Sequence, residues 1–470
     1  MDRIPTHGVA HAISELRFPF ELKKDQLDAV EAWIENGLRG SVIYSTGTGK
    51  TEIAFECARR AAALRNNGEF RILFLVPRIV LVEQNVKRLL SYGLQASSIG
   101  VYYGERKDVR EITISTYQSA IHNFDLIRNA SMVVLDEVHL VSETASGFDR
   151  IFDVIVEDPS KAVLGLTATI NEKDPKYHTI MVVTPPVKKY LIKDAVTDGR
   201  LARPEIIPVQ AAFSPEEQKA YDEATAAIKE ISRKLQTYDP LRMSRILARG
   251  GTRASLAKQW FANVGRRKEI LSSAKNKLAK TVELVRKHRG ERVMIFSETI
   301  KSIQMLKEML EDDGIAAMVM HNGTKAKERK EILASWGSEY FPLLSVHTLE
   351  IGYDVPQVRI AIIIASTSNM NQVAQRIGRV VRKFEGKDSA LVYVVYINDT
   401  KDNNILKVVK AAIEKEGRRK VEELSFEKKK TKSRAESPAK YDGIDTGASS
   451  SVKIATNVAG QRTLLENQNQ

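Results

Sequence analysis

The stretch Ser45-Thr46-Gly47-Thr48-Gly49-Lys50-Thr51 constrains this chain more than any other. It follows the short apolar run Ser41-Val42-Ile43-Tyr44, which predicts a buried strand. It precedes Ile53, Ala54, Cys57, Ala58, Ala61 and Leu64, apolar positions at helical spacing. Strand, Gly-rich turn and helix form the setting in which G-K-T cradles phosphate. Gly47 and Gly49 let the backbone turn its N–H groups inward, and the helix presents its positive end to the anion. In this reading Thr46, Gly47, Thr48 and Gly49 form a nucleotide cradle, Lys50 reaches the outer phosphates and the Thr51 hydroxyl ligates Mg²⁺. Tyr44 stands where the strict pattern has Gly.

The surrounding pattern is one of strands alternating with helices. Arg71–Val76, Glu111–Ser115, Ser131–Leu135 and Val163–Leu166 are apolar runs of strand length, and Glu21–Trp33 and Leu81–Leu90 carry helical spacing. Such alternation predicts a doubly wound parallel sheet with its ligands at the strands' carboxyl ends. Residues 1–205 are assigned to this first domain. From about Ile206 the character changes: Ser214-Pro215-Glu216-Glu217 is a capping box with Pro at the first helical position, and no strand-like run follows until Val293. Residues 206–290 are therefore expected to be a helical, strand-free insertion. A second α/β pattern opens at Arg292–Phe296 and continues through 316–320, 343–345, 360–364 and 390–396, giving a second domain over 291–426. Residues 427–470 include KKKTKSRAESPAK followed by Gly, Ser, Asn and Gln, and this composition predicts disorder. The basic run itself reads as a solvated charge cluster.

Charge points to a polyanionic partner. The net charge is +13, and between Ala211 and Gly290 eighteen Lys/Arg face eight Asp/Glu, so most of the excess is local. From Pro240 to Lys268 there are eight basic residues and no acid. Arg242, Arg245, Arg249 and Arg253 lie three and four apart, a one-sided stripe if helical and suited to nucleic-acid phosphate, although Gly250-Gly251 interrupts it and allows two helices or a hairpin tip. Trp260-Phe261 could stack on bases or pack as core, and an anchor for the helices is the favoured reading. The single cysteine excludes a disulfide framework, a Cys-based zinc site and a Cys-ligated iron–sulfur cluster. No run approaches the roughly 18 apolar residues of a membrane span, and the N-terminus lacks the layout of a signal peptide. An intracellular protein is expected, cytoplasmic or nucleoid-associated (nuclear in a eukaryote), with no membrane and no structural metal.

Asp136-Glu137-Val138-His139 follows the apolar strand ending at Leu135. A carboxylate at a strand's end can hold Mg²⁺, and an adjacent Glu can orient and deprotonate an attacking water. With STGTGKT, LDEVH, LTAT (166–169), IGYDVPQV (351–358) and QRIGRVVR (375–382) in this order, the chain resembles superfamily 2 helicases and translocases over roughly residues 20–400. Its motifs are most similar to XPB-type and phage UvsW-like branched-DNA helicases. The resemblance implies two RecA-like domains and the use of ATP and Mg²⁺. It implies that Lys50 and Thr51 bind phosphate and metal, that Asp136 coordinates Mg²⁺ and that Glu137 is the catalytic base. Arg379 and Arg382 would be arginine fingers, their spacing of three placing both on one helix face. Gly352, Asp354 and Gln375 would belong to the interdomain cleft, Gln26 would read adenine, and His139, Thr167 and Thr169 would couple hydrolysis to motion. Nucleic-acid contacts would fall on Arg78, Thr116, Gln118 and Thr348.

Two departures from the XPB-type pattern stand out. Only about twenty residues precede the first helicase domain, and no Arg-Glu-Asp triplet follows the ATPase motifs. The expected activity is thus a stripped-down, ATP-dependent DNA motor, 3′ to 5′ by resemblance, monomeric, acting on single-stranded, duplex or branched DNA in repair, recombination or replication. An RNA helicase, a duplex translocase without strand separation, and a nucleic-acid-binding scaffold with a dead ATPase are the alternatives.

Overall fold

The apolar runs pair side by side in two parallel sheets. The computed structural model describes residues 12–65, 70–143, 147–148, 150–170, 177–321, 323–346, 358–365 and 370–414. Thr348, Gly352, Asp354 and the tail assigned to 427–470 lie outside the described residues. The first sheet contains β1 (Arg39–Tyr44), β2 (Ile72–Val76), β3 (Ile99–Tyr103), β4 (Arg106–Lys107), β5 (Ile112–Thr116), β6 (Met132–Asp136), β7 (Ala162–Thr167) and β8 (Pro186–Tyr190). Their order is β4-β3-β5-β2-β6-β7-β1-β8, and only the β3–β4 pair is antiparallel. β1, β2, β5 and β7 are buried almost end to end, as a sheet covered by helices on both faces requires.

The second sheet contains β9 (Arg203–Ala211), β10 (Val293–Ser297), β11 (Met318–His321), β12 (Pro342–Val346), β13 (Ile360–Ile363) and β14 (Ser389–Ile397). Its order is β11-β12-β10-β13-β14-β9, all parallel. Two α/β domains are therefore present, and β9 corrects the expectation of a strand-free 206–290: it begins before the boundary placed at 205/206 and belongs to the second sheet. Its sequence, with Pro204 and Pro208, argues against a central strand, but β9 is an edge strand paired on one side to β14, where proline is tolerated.

Beyond β9 the chain is helical. The helix Pro215–Leu235 starts at the predicted capping box, Ser214 Oγ accepting from Glu217 N at 3.3 Å and Glu217 accepting from Ser214 N at 2.9 Å. The helices Pro240–Ala248, Gly251–Ser272 and Lys275–Lys287 follow. The first three of these four form an arm with its own small core of Ile228, Ile231, Leu235, Met243, Ala257 and Trp260. Trp260 is buried and donates its indole N–H to Ser232 Oγ at 2.8 Å, so it is an anchor and not a stacking platform. At the arm's base Tyr221, Leu271, Ala274 and Leu278 join the core under the second sheet. A fully buried ion pair, Lys277 Nζ to Asp402 Oδ2 at 2.6 Å, fastens that base to the helix Asp402–Glu414.

Candidate active site

The cradle forms at the carboxyl end of β1, where the sheet's topology directs ligands. Gly47 and Gly49 sit at φ +88° and +87°, left-handed conformations that favour glycine. The helix Lys50–Leu64 begins directly after them. Thr48 Oγ1 donates to Ser45 O at 2.7 Å, tightening the turn, and Lys50 Nζ rests on Tyr44 O at 3.1 Å. The Tyr44 ring leaves the cradle open. It is buried against the helix Lys24–Glu35, its hydroxyl donating to Asp25 O at 2.6 Å, and burial pushes its pKa well up.

Gln26, for which the resemblance implies a role in reading adenine, packs directly on the cradle. Its amide N–H groups reach Thr48 O and Gly49 O, both at 3.3 Å, while its Oε1 accepts from Lys23 N at 2.9 Å. Both ends of the amide are thus engaged with backbone, and Gln26 clamps the cradle from outside. Arg200, which carries no motif signal, does the same from the other side. It donates to Thr48 O at 2.6 Å and forms an ion pair with Asp25.

Asp136 ends β6 and Glu137 follows it at φ +52°, a strained conformation for a residue with a side chain. Burial and the adjacent Glu137 push Asp136 up to about 7, against the pull of Lys50. Burial also raises Glu137, against Lys50, a hydrogen bond from the Gln375 side chain and the charge of Arg379. His139 Nδ1 stands 3.4 Å from Glu137 Oε2 and shares a 2.9 Å hydrogen bond with Thr167 Oγ1, which donates in turn to Thr169 O at 3.0 Å. A chain of contacts therefore joins the ends of β6 and β7.

The second domain closes over this centre with the helix Met370–Val380. A cavity of about 480 Å³ is lined by Thr46, Gly47, Gly49, Lys50 and Thr51, by Asp136 and Glu137, and by Gln375, Arg379 and Arg382 from the second domain. Asn85, Arg88, Arg200 and Lys383 also line it and belong to none of the motifs. The two domains approach closely: a Cβ added at Gly378 would lie 2.8 Å from Thr46 Cβ, and one added at Gly47 would lie 3.1 Å from Arg382 Cγ. Arg382 departs from the one-helix expectation. The helix stops at Val380, and Arg382 lies beyond it in a bridge with Leu201, while Ala202 N donates to Val381 O at 2.8 Å. Arg379 and Arg382 still face the same cavity.

The cavity suits a nucleotide with a divalent cation. It offers a left-handed glycine cradle, a buried Thr46 hydroxyl without a protein partner, and two buried carboxyl groups held above their ordinary range. Thr51 and Asp136 supply the oxygen donors that Mg²⁺ prefers.

The nucleic-acid residues are less uniform. Arg78 is half-buried at the start of the helix Ile79–Ser91, and Gln118 is exposed with its amide 3.3 Å from His122 Nε2. Thr116 is buried, and its hydroxyl caps the short helix Tyr117–Ala120 by accepting from Ser119 N at 3.2 Å. That hydroxyl positions the loop instead of facing solvent. Arg242, Arg245, Arg249 and Arg253 are all exposed, but Gly250 and Gly251 break the stripe between two helices.

Comparison with known proteins fits this geometry. Residues 19–172 match the family described as type III restriction enzyme, res subunit, and residues 276–384 match the helicase conserved C-terminal domain. Over these two stretches the chain is similar to superfamily 2 helicases. It is 27% identical over 399 residues to the DNA 3'-5' translocase XPB2 of Sulfurisphaera tokodaii, covering 82% of this chain and 85% of that protein. It is 25% identical over 410 residues to the DNA 3'-5' helicase XPB of Mycobacterium tuberculosis, covering 84% of this chain but 64% of that protein. Among solved structures, the Pyrococcus furiosus Hef helicase domain superposes with a TM-score of 0.52 at 17% identity over 83% of this chain and 99% of that one. The ATP-dependent type ISP restriction-modification enzyme LlaBIII bound to DNA superposes at 0.55 and 16% identity, over 84% of this chain and 30% of that one. At these identities the superpositions bear on the fold alone. Among the described residues, no helix is long and apolar enough to cross a membrane.

Proposed function

We propose that the chain is an ATP- and Mg²⁺-dependent DNA motor, a helicase or translocase working as a monomer inside the cell on duplex or branched DNA. The supporting observation is the single cavity that gathers Lys50, Asp136 and Glu137 from one domain with Gln375, Arg379 and Arg382 from the other. Lys50 and the cradle N–H groups bind the phosphates, and Thr51 and Asp136 would hold Mg²⁺, which supplies charge neutralisation when bound. Glu137 orients and deprotonates the attacking water, held for that task by Gln375 and the Ala168 N–H. Arg379 and Arg382 stabilise charge on the transferring phosphoryl group only when the cleft is closed, so hydrolysis is tied to domain motion. His139 and Thr167 carry the movement toward Thr169 and the DNA-facing loops.

The test is ATP hydrolysis measured without nucleic acid and with single-stranded, duplex, four-way-branched DNA and RNA. Stimulation by DNA and its loss in Lys50→Ala are expected. Greater stimulation by RNA, or hydrolysis surviving in Lys50→Ala, overturns the reading. The match of residues 19–172 to a restriction-enzyme family favours one second reading, a duplex translocase that does not separate strands. Duplex-stimulated hydrolysis without unwinding of a forked substrate would select it.

A further inference from the structure

The arginine-bearing arm and the helix that carries Arg379 to the ATP cavity meet at one buried carboxylate. Glu298 lies at the turn after β10, its side chain 5% exposed. Its Oε2 takes Lys268 Nζ at 2.8 Å and its Oε1 takes an Arg376 guanidinium nitrogen at 3.4 Å. Lys268 belongs to the arm helix Gly251–Ser272, and Arg376 to the helix Met370–Val380 that carries Arg379. Arg376 is itself buried, with its guanidinium 5.5 Å from the centre of the Phe296 ring. Two further interactions place the arm on the same turn: Ser272 Oγ shares a 2.8 Å hydrogen bond with Thr299 Oγ1, and Glu269 pairs with Lys301.

From this arrangement we infer that Glu298 is a positioning residue through which a load on the arm reaches the arginines of the ATP cavity. The inference rests on the DNA-stimulated hydrolysis proposed above. An anion buried beside two cations from two different elements holds both, because pulling either cation away from a buried carboxylate is costly. The arm helix has 22 residues, about 33 Å of stiff rod. Arg253 stands in its first turn, Lys268 near its last, and Trp260 locks it to the neighbouring helix between them. Phosphates bound at the tip tilt or settle that rod, and the tilt is felt at Lys268. Glu298 passes it to Arg376, one helical turn before Arg379 on the same helix. Bound DNA thereby selects the setting of the helix in which Arg379 faces the reacting phosphate.

The test compares wild type with Glu298→Gln, Lys268→Met and the double variant, and reads the ATP KM, the basal rate, the DNA-stimulated rate, the Kd for a labelled duplex and the melting temperature. Glu298 is too buried to touch DNA, and Gln keeps its shape. For Glu298→Gln the expected result is a basal rate, ATP KM and duplex Kd within about threefold of wild type and a stimulation ratio reduced at least tenfold. Lys268→Met should lose stimulation likewise and Lys268→Arg should keep it. The double variant should be no worse than either single one, since both break one link. Full stimulation in Glu298→Gln or Lys268→Met, or additive losses in the double variant, overturns the coupling. If Glu298→Gln fails to fold, the Lys268 pair still decides, because that side chain is 46% exposed and tolerates substitution. A wild-type chain that DNA does not stimulate overturns the motor reading itself, a separate and recognisable failure.

Discussion

Replacing Gly378 with alanine separates closure of the two domains from their stability. A Cβ at this position would stand 2.8 Å from Thr46 Cβ and 3.2 Å from Thr46 Oγ1. Comfortable carbon separation begins at about 3.5 Å, so the helix and the cradle must part by roughly 0.7 Å or more. Neither Cβ can rotate away, because each is fixed to its own backbone. Overpacking of this kind costs about 1–3 kcal/mol. Here the cost falls on the closed cleft, where it amounts to roughly 5- to 150-fold in population. Arg379 is the next residue and moves with the helix, so the DNA-stimulated kcat should fall by a factor in that range. The effect on folding has the opposite sign, since alanine inside a helix is favoured over glycine by about 1 kcal/mol. A steady-state ATPase assay and a thermal melt on the same preparation read both quantities. A kcat within twofold of wild type refutes the argument, and so does a melting temperature that drops with kcat, which would mark a general packing defect.

Three further outcomes are expected. Arg200→Ala leaves the Thr48 carbonyl to Gln26 alone and removes the ion pair of Asp25, and removing a charged hydrogen bond of about 1.5–3 kcal/mol should raise the ATP KM by roughly 10- to 150-fold with a smaller change in melting temperature; an unchanged KM counts against its role. Substituting Arg242, Arg245, Arg249 and Arg253 together should flatten the dependence of log affinity for duplex DNA on log salt by about 0.9 for each phosphate no longer neutralised, and an unaltered slope removes the arm from the DNA interface. Lys277→Met leaves Asp402 buried without its partner and should cost about 3–5 kcal/mol in denaturant unfolding, much of it recovered in Lys277→Met/Asp402→Leu; no recovery would mean that the packing, not the charge, was decisive.

Local chemistry was legible in the sequence where the chain writes it contiguously. The cradle and the pair Asp136-Glu137 could be read from the apolar strand before each, whereas Arg379 and Arg382 were singled out only by the family resemblance. Their convergence on one cavity needed the family resemblance, since no local pattern places residue 379 beside residue 137. Residues whose partners are distant in sequence were missed. Arg200 reaches Thr48 and Asp25 with no motif around it, and Glu298, although it lies in the family-like run 293–299, gives no local sign that it joins Lys268 to Arg376. Edge strands were missed for another reason. β8 is Pro-Val-Lys-Lys-Tyr and β9 carries two prolines, and half-exposed edges need neither a continuous apolar run nor strict alternation. For Gln26 and Thr116 the sequence carries no sign that their polar atoms bond to neighbouring backbone, because those contacts depend on the folded turn.

The pairing of β9 with β14 also sets a timetable for synthesis. Arg203 meets Ser389, so β9 leaves the ribosome roughly 190 residues before its partner exists. At 5–20 residues per second that is a wait of about 10–40 s, during which a strand with an unsatisfied edge and the cradle-clasping segment just before it stand without the second domain. A shortened chain that keeps β9 but stops before Ser389 retains the sticky edge permanently. One that ends before Arg203 does not, and the boundary for expressing the first domain alone therefore belongs on the near side of that strand.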